Sequence, residues 1–338
     1  MKAWELQGFG LQHLKQVSKD IPQPGPKQLL VKVSAVSLNF RDKAIAEGFY
    51  LPHLMKMPFV PISDTAGVVV STGKEVTKFK SGDRVVSHLY PTWLTGLRHP
   101  ADVSEHALGG PIDGGLAEYI LLSETGAVKI PASLTDAEAA TLPIAALTAW
   151  FALVEHGQLK KGQTVVTQGT GGVSLFATQL ASALGARVIG LSSSDDKLGL
   201  LRELGATETI NYRQYPDWHQ KVLEMTGGRG ADNVMDVVGG SSLNKSVQAV
   251  TDCGQVSIIG FLENISAPLD LLPVVFKAVQ VRGILVGNLQ AFESLVDFMV
   301  RNKIKPVIDH TYSFADAVTG GYRHLERGAI GKLVINID

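Results

Sequence analysis

The chain has one cysteine, Cys253, in 338 residues. One thiol excludes a disulfide framework and any zinc site built on several thiolates, and it suits a reducing compartment. Excess charge is missing as well: 31 Lys+Arg against 32 Asp+Glu leave a formal net charge of −1. Such a balance argues against electrostatic binding to nucleic acid or to a membrane surface. Long apolar runs are also lacking. The longest, around Ala137 to Val154, is interrupted by Glu138, Thr141, Pro143 and Thr148, whereas a membrane span needs ~20 apolar residues. The opening MKAWELQGFGLQHLKQ has no apolar core of the kind a secretory signal carries. These shortages predict a cytoplasmic protein.

What is present is apolar material and glycine. Hydrophobic residues make up 45% and charged residues 19% of the chain, enough for packed cores, and the length favours about two domains. The first third reads as β. LLVKVSAVSL (Leu29 to Leu38) alternates and is rich in valine, and GVVVSTG, DRVVSHL and LAEYILL are short apolar runs bounded by turn residues. Residues 90–115 are polar and turn-rich and read as an excursion loop. From Thr135 the pattern becomes helical: Thr135 and Glu138 stand at capping-box spacing, and Gly157 is a natural stop. From Gln163 onward strands and helices alternate, with near-continuous apolar strands, which predicts a parallel sheet covered on both faces.

The sharpest motif is Gly169-Thr170-Gly171-Gly172-Val173-Ser174, between the strand QTVVTQ and a helix. In that context a glycine turn lets the backbone approach a pyrophosphate, and the helix N-terminus supplies N–H donors and partial positive charge. Ser174 replaces the last glycine of the G-x-G-x-x-G pattern but remains small. An NAD site usually carries an acidic residue ~20 positions further on, for the ribose 2′-OH. Here the next strand ends in Ser192-Ser193-Ser194, with Lys197 shortly after. Hydroxyls and an ammonium suit a 2′-phosphate, so the expected cofactor is NADP (NADPH) rather than NAD. Asp195 and Asp196 read as a helix start, and Asn211-Tyr212-Arg213 as a segment closing over the adenosine. Ligands of an open α/β sheet lie beyond the carboxyl ends of its strands. That nominates Val237, Val238 and Gly239, then Gly260 and Phe261, then Leu285, Val286 and Gly287.

Taken together, the whole chain resembles the medium-chain dehydrogenase/reductase superfamily. It is most similar to the zinc-independent branch that includes quinone oxidoreductases and enoyl reductases. The resemblance rests on Leu38-Asn39-Phe40-Arg41-Asp42, PISDTAGVVV (Pro61 to Val70), GGLAEY (Gly114 to Tyr119), AATLPIAALTAW (Ala139 to Trp150), GTGGVS and GKLVI (Gly331 to Ile335). It implies an α/β protein: a GroES-like β-rich catalytic domain, residues 1–124 and 291–338, around a Rossmann doubly wound parallel-sheet domain, residues 125–290, with the active site in the cleft. It adds Thr148 on the nicotinamide side and Lys332 as a phosphate contact. The strand VQVRGILVG resembles the edge through which the family dimerises, so a homodimer is expected.

The resemblance also points to what is absent. Where zinc-containing relatives carry a cysteine, a histidine and a further cysteine, this chain has Asn39, Ser63 and, nearby, Ile144. An amide, a hydroxyl and an alkyl group are poor zinc ligands. No cysteine stands in 90–115 for a structural zinc, and His88, His99 and His106 read as ordinary loop and strand-end histidines. Both metal sites are therefore expected to be missing. Hydrogen-bond donors must then steady the oxygen of a hydride acceptor. Asn39 offers an amide, and Tyr50, in a position the resemblance implies for the substrate pocket, offers a phenol. Asp42 orders Asn39 or the nicotinamide ribose, or pairs with Arg41. Phe49, Trp93 and Leu94 are candidates for an apolar pocket wall, and Cys253 reads as a structural thiol. The expected activity is zinc-free, NADPH-dependent reduction of a small carbonyl, enone or quinone. The alternative is a non-catalytic NADPH-binding redox sensor or structural protein.

Overall fold

The computed structural model describes residues 1–337 and divides into two compact units, Met1–Leu147 with the segment from Asn288 onward, and Thr148–Gly287. Among the described residues no helix is long and apolar enough to cross a membrane.

In the first unit the valine-rich strand Gln28–Leu38 is central. Asp64–Thr72 pairs antiparallel along one of its edges, while Tyr119–Ser123 and Lys332–Asn336 share the other. Arg84–Ser87 and Ala127–Lys129 extend the sheet on one side, and Ile308–Ser313 on the other. The register of the central pair shifts between Leu30 and Val31 and again between Val33 and Ala35, irregularities that bend and twist a strand pair. Gly67 sits where the strands run closest: a Cβ there would lie 2.1 Å from the Lys32 carbonyl oxygen. Leu6, Val36, Phe59, Ile62, Leu116 and Ile335 fill the core.

The expected domain boundary at 125 moves. Ala127–Lys129 is hydrogen-bonded into the first unit's sheet beside Arg84–Ser87. The helix Asp136–Ala140 packs on that sheet as well, so the division falls after Leu147. At the other end it falls at Asn288, whose side chain caps the helix Leu289–Arg301 by accepting from Ala291 N–H at 2.7 Å. The capping box at Thr135 and Glu138 forms as expected, with reciprocal hydrogen bonds of 3.1 and 2.8 Å. The helical stretch then widens into π turns at Leu142–Ala146 and Phe151–His156; Pro143 has no N–H to give an α ladder.

The second unit is a six-stranded, wholly parallel sheet. Its order is Glu208–Asn211, Arg187–Ser192, Thr164–Gln168, Ala231–Asp236, Val250–Ile258, Gln280–Gly283. Numbered along the unit this is 3-2-1-4-5-6, the doubly wound arrangement, with its switch point between Thr164–Gln168 and Ala231–Asp236. The strand expected through VRGILVG ends at Gly283, and Val286 turns away with φ 43°. Cys253, read as a structural thiol, is exposed, with φ 57°.

Candidate active site

The sheet of the second unit gathers most of the nominated cofactor residues at its carboxyl edge. Thr164–Gln168 ends in Gly169, whose φ of 81° belongs to the left-handed region that favours glycine. Thr170 is buried, and Gly171 precedes the twelve-residue helix Gly172–Ala183, which has no side-chain cap. The first N–H groups of that helix, from Gly172 and Val173 on, thus face outward from a helix N-terminus, a natural anion site. A Cβ at Gly169 or Gly171 would meet nothing within 4 Å, so the space beside the turn is open, as a pyrophosphate requires. Ser174 keeps helix and strand together: it is buried and donates its hydroxyl to the Gln168 carbonyl at 2.6 Å.

The serine run is not uniform. Ser192 is 1% exposed, inside the sheet, while Ser193, Ser194 and Lys197 are half-buried at the edge. A 2′-phosphate would therefore meet Ser193 rather than Ser192. Asp195 turns aside and accepts from Asn211 Nδ2 at 2.9 Å. Tyr212, next to Asn211, is exposed. Val237, Gly260, Phe261 and Leu285 are half-buried beyond the neighbouring strands, Gly287 is buried, and Thr148 is buried at the start of the unit. Gly260 admits no side chain, because a Cβ would come within 2.4 Å of the Val237 carbonyl.

A buried network at the switch point escaped the sequence reading. Asp236 accepts from the N–H groups of Val238 and Gly239 at 3.0 and 2.8 Å and from Ser246 Oγ at 2.6 Å. Gln168 Nε2 donates to Ser246 and Ser242. This ties the ends of the two strands flanking the switch point and fixes the Val237–Gly239 turn. Its only sequence signal was a carboxylate ending an apolar strand.

The first unit assembles a second polar centre. Asn39 precedes the helix Phe40–Ala46, and its backbone N–H donates to Asp42 Oδ2 at 2.7 Å. Asn39 Nδ2 donates to Asp64 Oδ2 at 2.9 Å and, more weakly, to the Ser37 carbonyl at 3.4 Å. Its Oδ1 accepts from the ammonium of Lys332, which also donates to the Leu38 carbonyl at 2.7 Å and lies 4.0 Å from Asp64. Ser63 Oγ and the Ile144 N–H complete the shell of Asp64, at 3.0 and 3.3 Å. Asn39 is thus bonded at both ends of its amide, and the expected role as donor to an acceptor oxygen gives way to a structural one. Lys332, expected at a phosphate, is 3% exposed and bound inside this cluster. Burial pushes the Asp64 carboxyl up and the Lys332 ammonium down, and each charge opposes the other's shift.

Asp42 accepts from the Asn39 backbone N–H, one of the three roles expected for it. Burial pushes its carboxyl up to about 6, against the nearby Arg41 charge. Its Oδ1 and the phenol oxygen of buried Tyr322 have no partner among the described residues. Arg41 donates to the carbonyls of Leu108 and Gly110 and lies over the Tyr50 ring, 5.8 Å from its centroid. Tyr50 lines a shallow recess with Arg41, Leu51, Met55, Tyr90 and Ser104; burial, with Tyr50 as a hydrogen-bonding neighbour, pushes the Tyr90 phenol up. Trp93 is 2% exposed and belongs to the core, not to a pocket wall, while Phe49 and Leu94 are exposed.

Comparison with known proteins supports the fold. The alcohol dehydrogenase GroES-like domain family matches residues 25–132, and the zinc-binding dehydrogenase family matches residues 172–301. A zinc-type alcohol dehydrogenase-like protein of Schizosaccharomyces pombe is 39% identical, over 99% of this chain and 97% of its own length. The chain belongs to the medium-chain dehydrogenase/reductase superfamily. Another of its relatives, a chloroplastic quinone oxidoreductase of Triphysaria versicolor, is 31% identical over 99% of this chain and 98% of its own. Among solved superfamily structures, a provisionally named alcohol dehydrogenase from Sinorhizobium meliloti 1021 has a TM-score of 0.92 at 43% identity, covering 99% of this chain and 98% of that one. A mycobacterial protein solved with NADPH has a TM-score of 0.83 at 28% identity, covering both chains completely.

The residues at the positions where the resemblance implies a catalytic zinc do not fit a metal. Asn39, Ser63 and the Ile144 N–H all donate to the one carboxylate, Asp64, and a lysine ammonium already stands beside it. Among the described residues no three His, Cys, Asp or Glu side chains gather as a metal would require. The superfamily fold and an oxidoreductase role stand, while the groups at this position offer zinc no set of ligands.

Proposed function

We propose that this protein is a zinc-free, NADPH-dependent oxidoreductase that reduces a small carbonyl, enone or quinone. The observation that carries the reading is the uncapped N-terminus of Gly172–Ala183 behind the Gly169 turn, at the switch point of the parallel sheet. When bound, NADPH supplies the hydride. Gly169 to Val173 hold the pyrophosphate through backbone N–H groups, Ser193 and Lys197 favour a 2′-phosphate, and the Asp236 network keeps the Val237–Gly239 turn in register. Tyr50 donates a hydrogen bond or a proton to the oxygen that gains charge. Arg41, over the same ring, makes the recess electropositive.

The chain works as a homodimer in this reading. Gln280–Gly283 is an edge strand, and the adjacent helix Leu271–Phe276 exposes Leu271, Leu272, Val275 and Phe276. An open edge beside apolar side chains is a pairing surface. The single thiol suits the cytoplasm.

Following NADPH absorbance with enones, quinones and aldehydes tests the activity; binding without turnover on any acceptor would replace it with a sensor role. Tyr50→Phe is expected to lower kcat with little change in NADPH affinity, and wild-type kcat would remove Tyr50 from the chemistry. Ser193→Asp is expected to shift the NADPH-to-NADH preference by about tenfold towards NADH, roughly 1.4 kcal/mol. An unchanged ratio would overturn the 2′-phosphate assignment.

A further inference from the structure

In the first unit the side chains of Asn39 and Ser63 and the backbone of Ile144 point their donors at one buried carboxylate, Asp64, at 2.9, 3.0 and 3.3 Å. These are the three positions at which zinc-containing relatives are expected to hold their metal. The Asn39 and Ser63 side chains donate where a metal site would need them to accept, and Ile144 offers an alkyl side chain with no donor atom for a metal. The fourth member is Lys332, from the strand Lys332–Asn336. Its ammonium reaches the Leu38 carbonyl at 2.7 Å, bonds Asn39 Oδ1, and stands 4.0 Å from Asp64 Oδ2. It is 3% exposed and Asp64 is 0% exposed. A carboxylate buried so completely needs a compensating positive charge.

We propose that Lys332 is the built-in cation of this centre: it supplies the positive charge that a metal ion would bring, orients Asn39, and keeps divalent cations out. This rests on the zinc-free reading above and deepens it. By fixing Leu38 and Asn39, Lys332 fixes the start of the helix that carries Arg41 and Asp42 and leads to Tyr50. It is a positioning residue, since its donors are directed into the protein.

Zinc affinity tests the exclusion, without reference to turnover. Asn39→Cys/Ser63→His places a thiolate and an imidazole beside the Asp64 carboxylate, the three protein ligands a zinc ion accepts. Competition with a chromogenic chelator compares this double variant with the triple variant that also carries Lys332→Met. The triple variant is expected to bind zinc at least about tenfold more tightly. Equal affinities would overturn the proposal. Stoichiometric zinc in the purified wild-type protein would instead defeat the zinc-free reading itself.

Should the redesigned variants fail to fold, steady-state kinetics of Lys332→Arg and Lys332→Met carry the test. A positioning cation predicts that Lys332→Met lowers kcat about tenfold or more with an unchanged KM for NADPH, and that Lys332→Arg restores most of it. A raised KM for NADPH at unchanged kcat would make Lys332 a phosphate contact and overturn the proposal.

Discussion

At the glycine turn of the unit Thr148–Gly287, the donors are main-chain N–H groups of a few consecutive residues after Gly169. In the other unit, the polar centre draws side chains from positions as distant as Asn39 and Lys332, 293 apart in the chain. A backbone site needs only a turn that bends correctly and a helix that starts in the right place. A side-chain site needs the whole sheet, because Asn39, Asp64 and Lys332 lie on or beside three different strands. The first should therefore tolerate changes in side-chain chemistry but not in backbone geometry, whereas the second should be sensitive to the identity of each side chain.

The largest effect is expected in the side-chain centre. Asp64→Ala leaves the Lys332 ammonium buried without its counter-charge and should cost about 3–5 kcal/mol of stability. Asp64→Asn/Lys332→Met, which removes both charges, should cost less than its two single changes together. Denaturant midpoints decide this, and strict additivity would dissolve the idea of a coupled pair.

Next comes the pH dependence of the same centre. Burial raises the Asp42 carboxyl from 3.8 to about 6. Between those values the folded chain holds a proton that the unfolded chain has released, so this group's contribution to stability is full below about 4 and is lost as the pH rises through about 6. Burial is the main cause; Asp64 adds to the shift, while Arg41, the Asn39 N–H and Lys332 reduce it. Buried His88, whose imidazole burial lowers to about 3, works in the opposite direction, its contribution being lost as the pH falls below 6.5 towards about 3. Asp42→Asn should therefore steepen the rise of stability with pH between about 4 and 6, by roughly 2–3 kcal/mol across the window. Parallel curves for variant and wild type would show that Asp42 does not titrate there.

The smallest stability effect is expected at the backbone site. Gly169→Val forces a β-branched residue to a φ of 81° and should cost about 1–3 kcal/mol, with weakened NADPH binding measured by fluorescence titration. A space that is open to a Cβ makes the strain conformational, so Gly169→Asn, which tolerates the left-handed region, should retain more affinity. Equal losses in both variants would mean that side-chain bulk, and not φ, is what the site refuses.

The same contrast explains what can be read from the sequence. The glycine turn, the parallel sheet and its carboxyl edge are legible because each leaves a local mark: a glycine where φ is positive, an apolar run for a doubly covered strand. Ser192 is easily misread because burial runs continuously to the last residue of its strand and stops there, while the serine run continues past it and looks uniform. Asn39 and Lys332 stand out in the sequence, but their contacts do not, since their partners are set by strands pairing across the chain. The strands Lys2–Leu6, Leu14–Ser18 and Ile308–Ser313 leave little trace; the last two are mostly exposed and carry no apolar alternation. The boundary after Leu147 is hidden because one helical stretch runs through it.

Cys253, the lone thiol, lies on the surface of the second unit. A maleimide dye or spin label will therefore attach at one defined point on each chain, without first removing any other cysteine. In an assembly of two copies the pair of labels would report a single distance, and a monomer would report none.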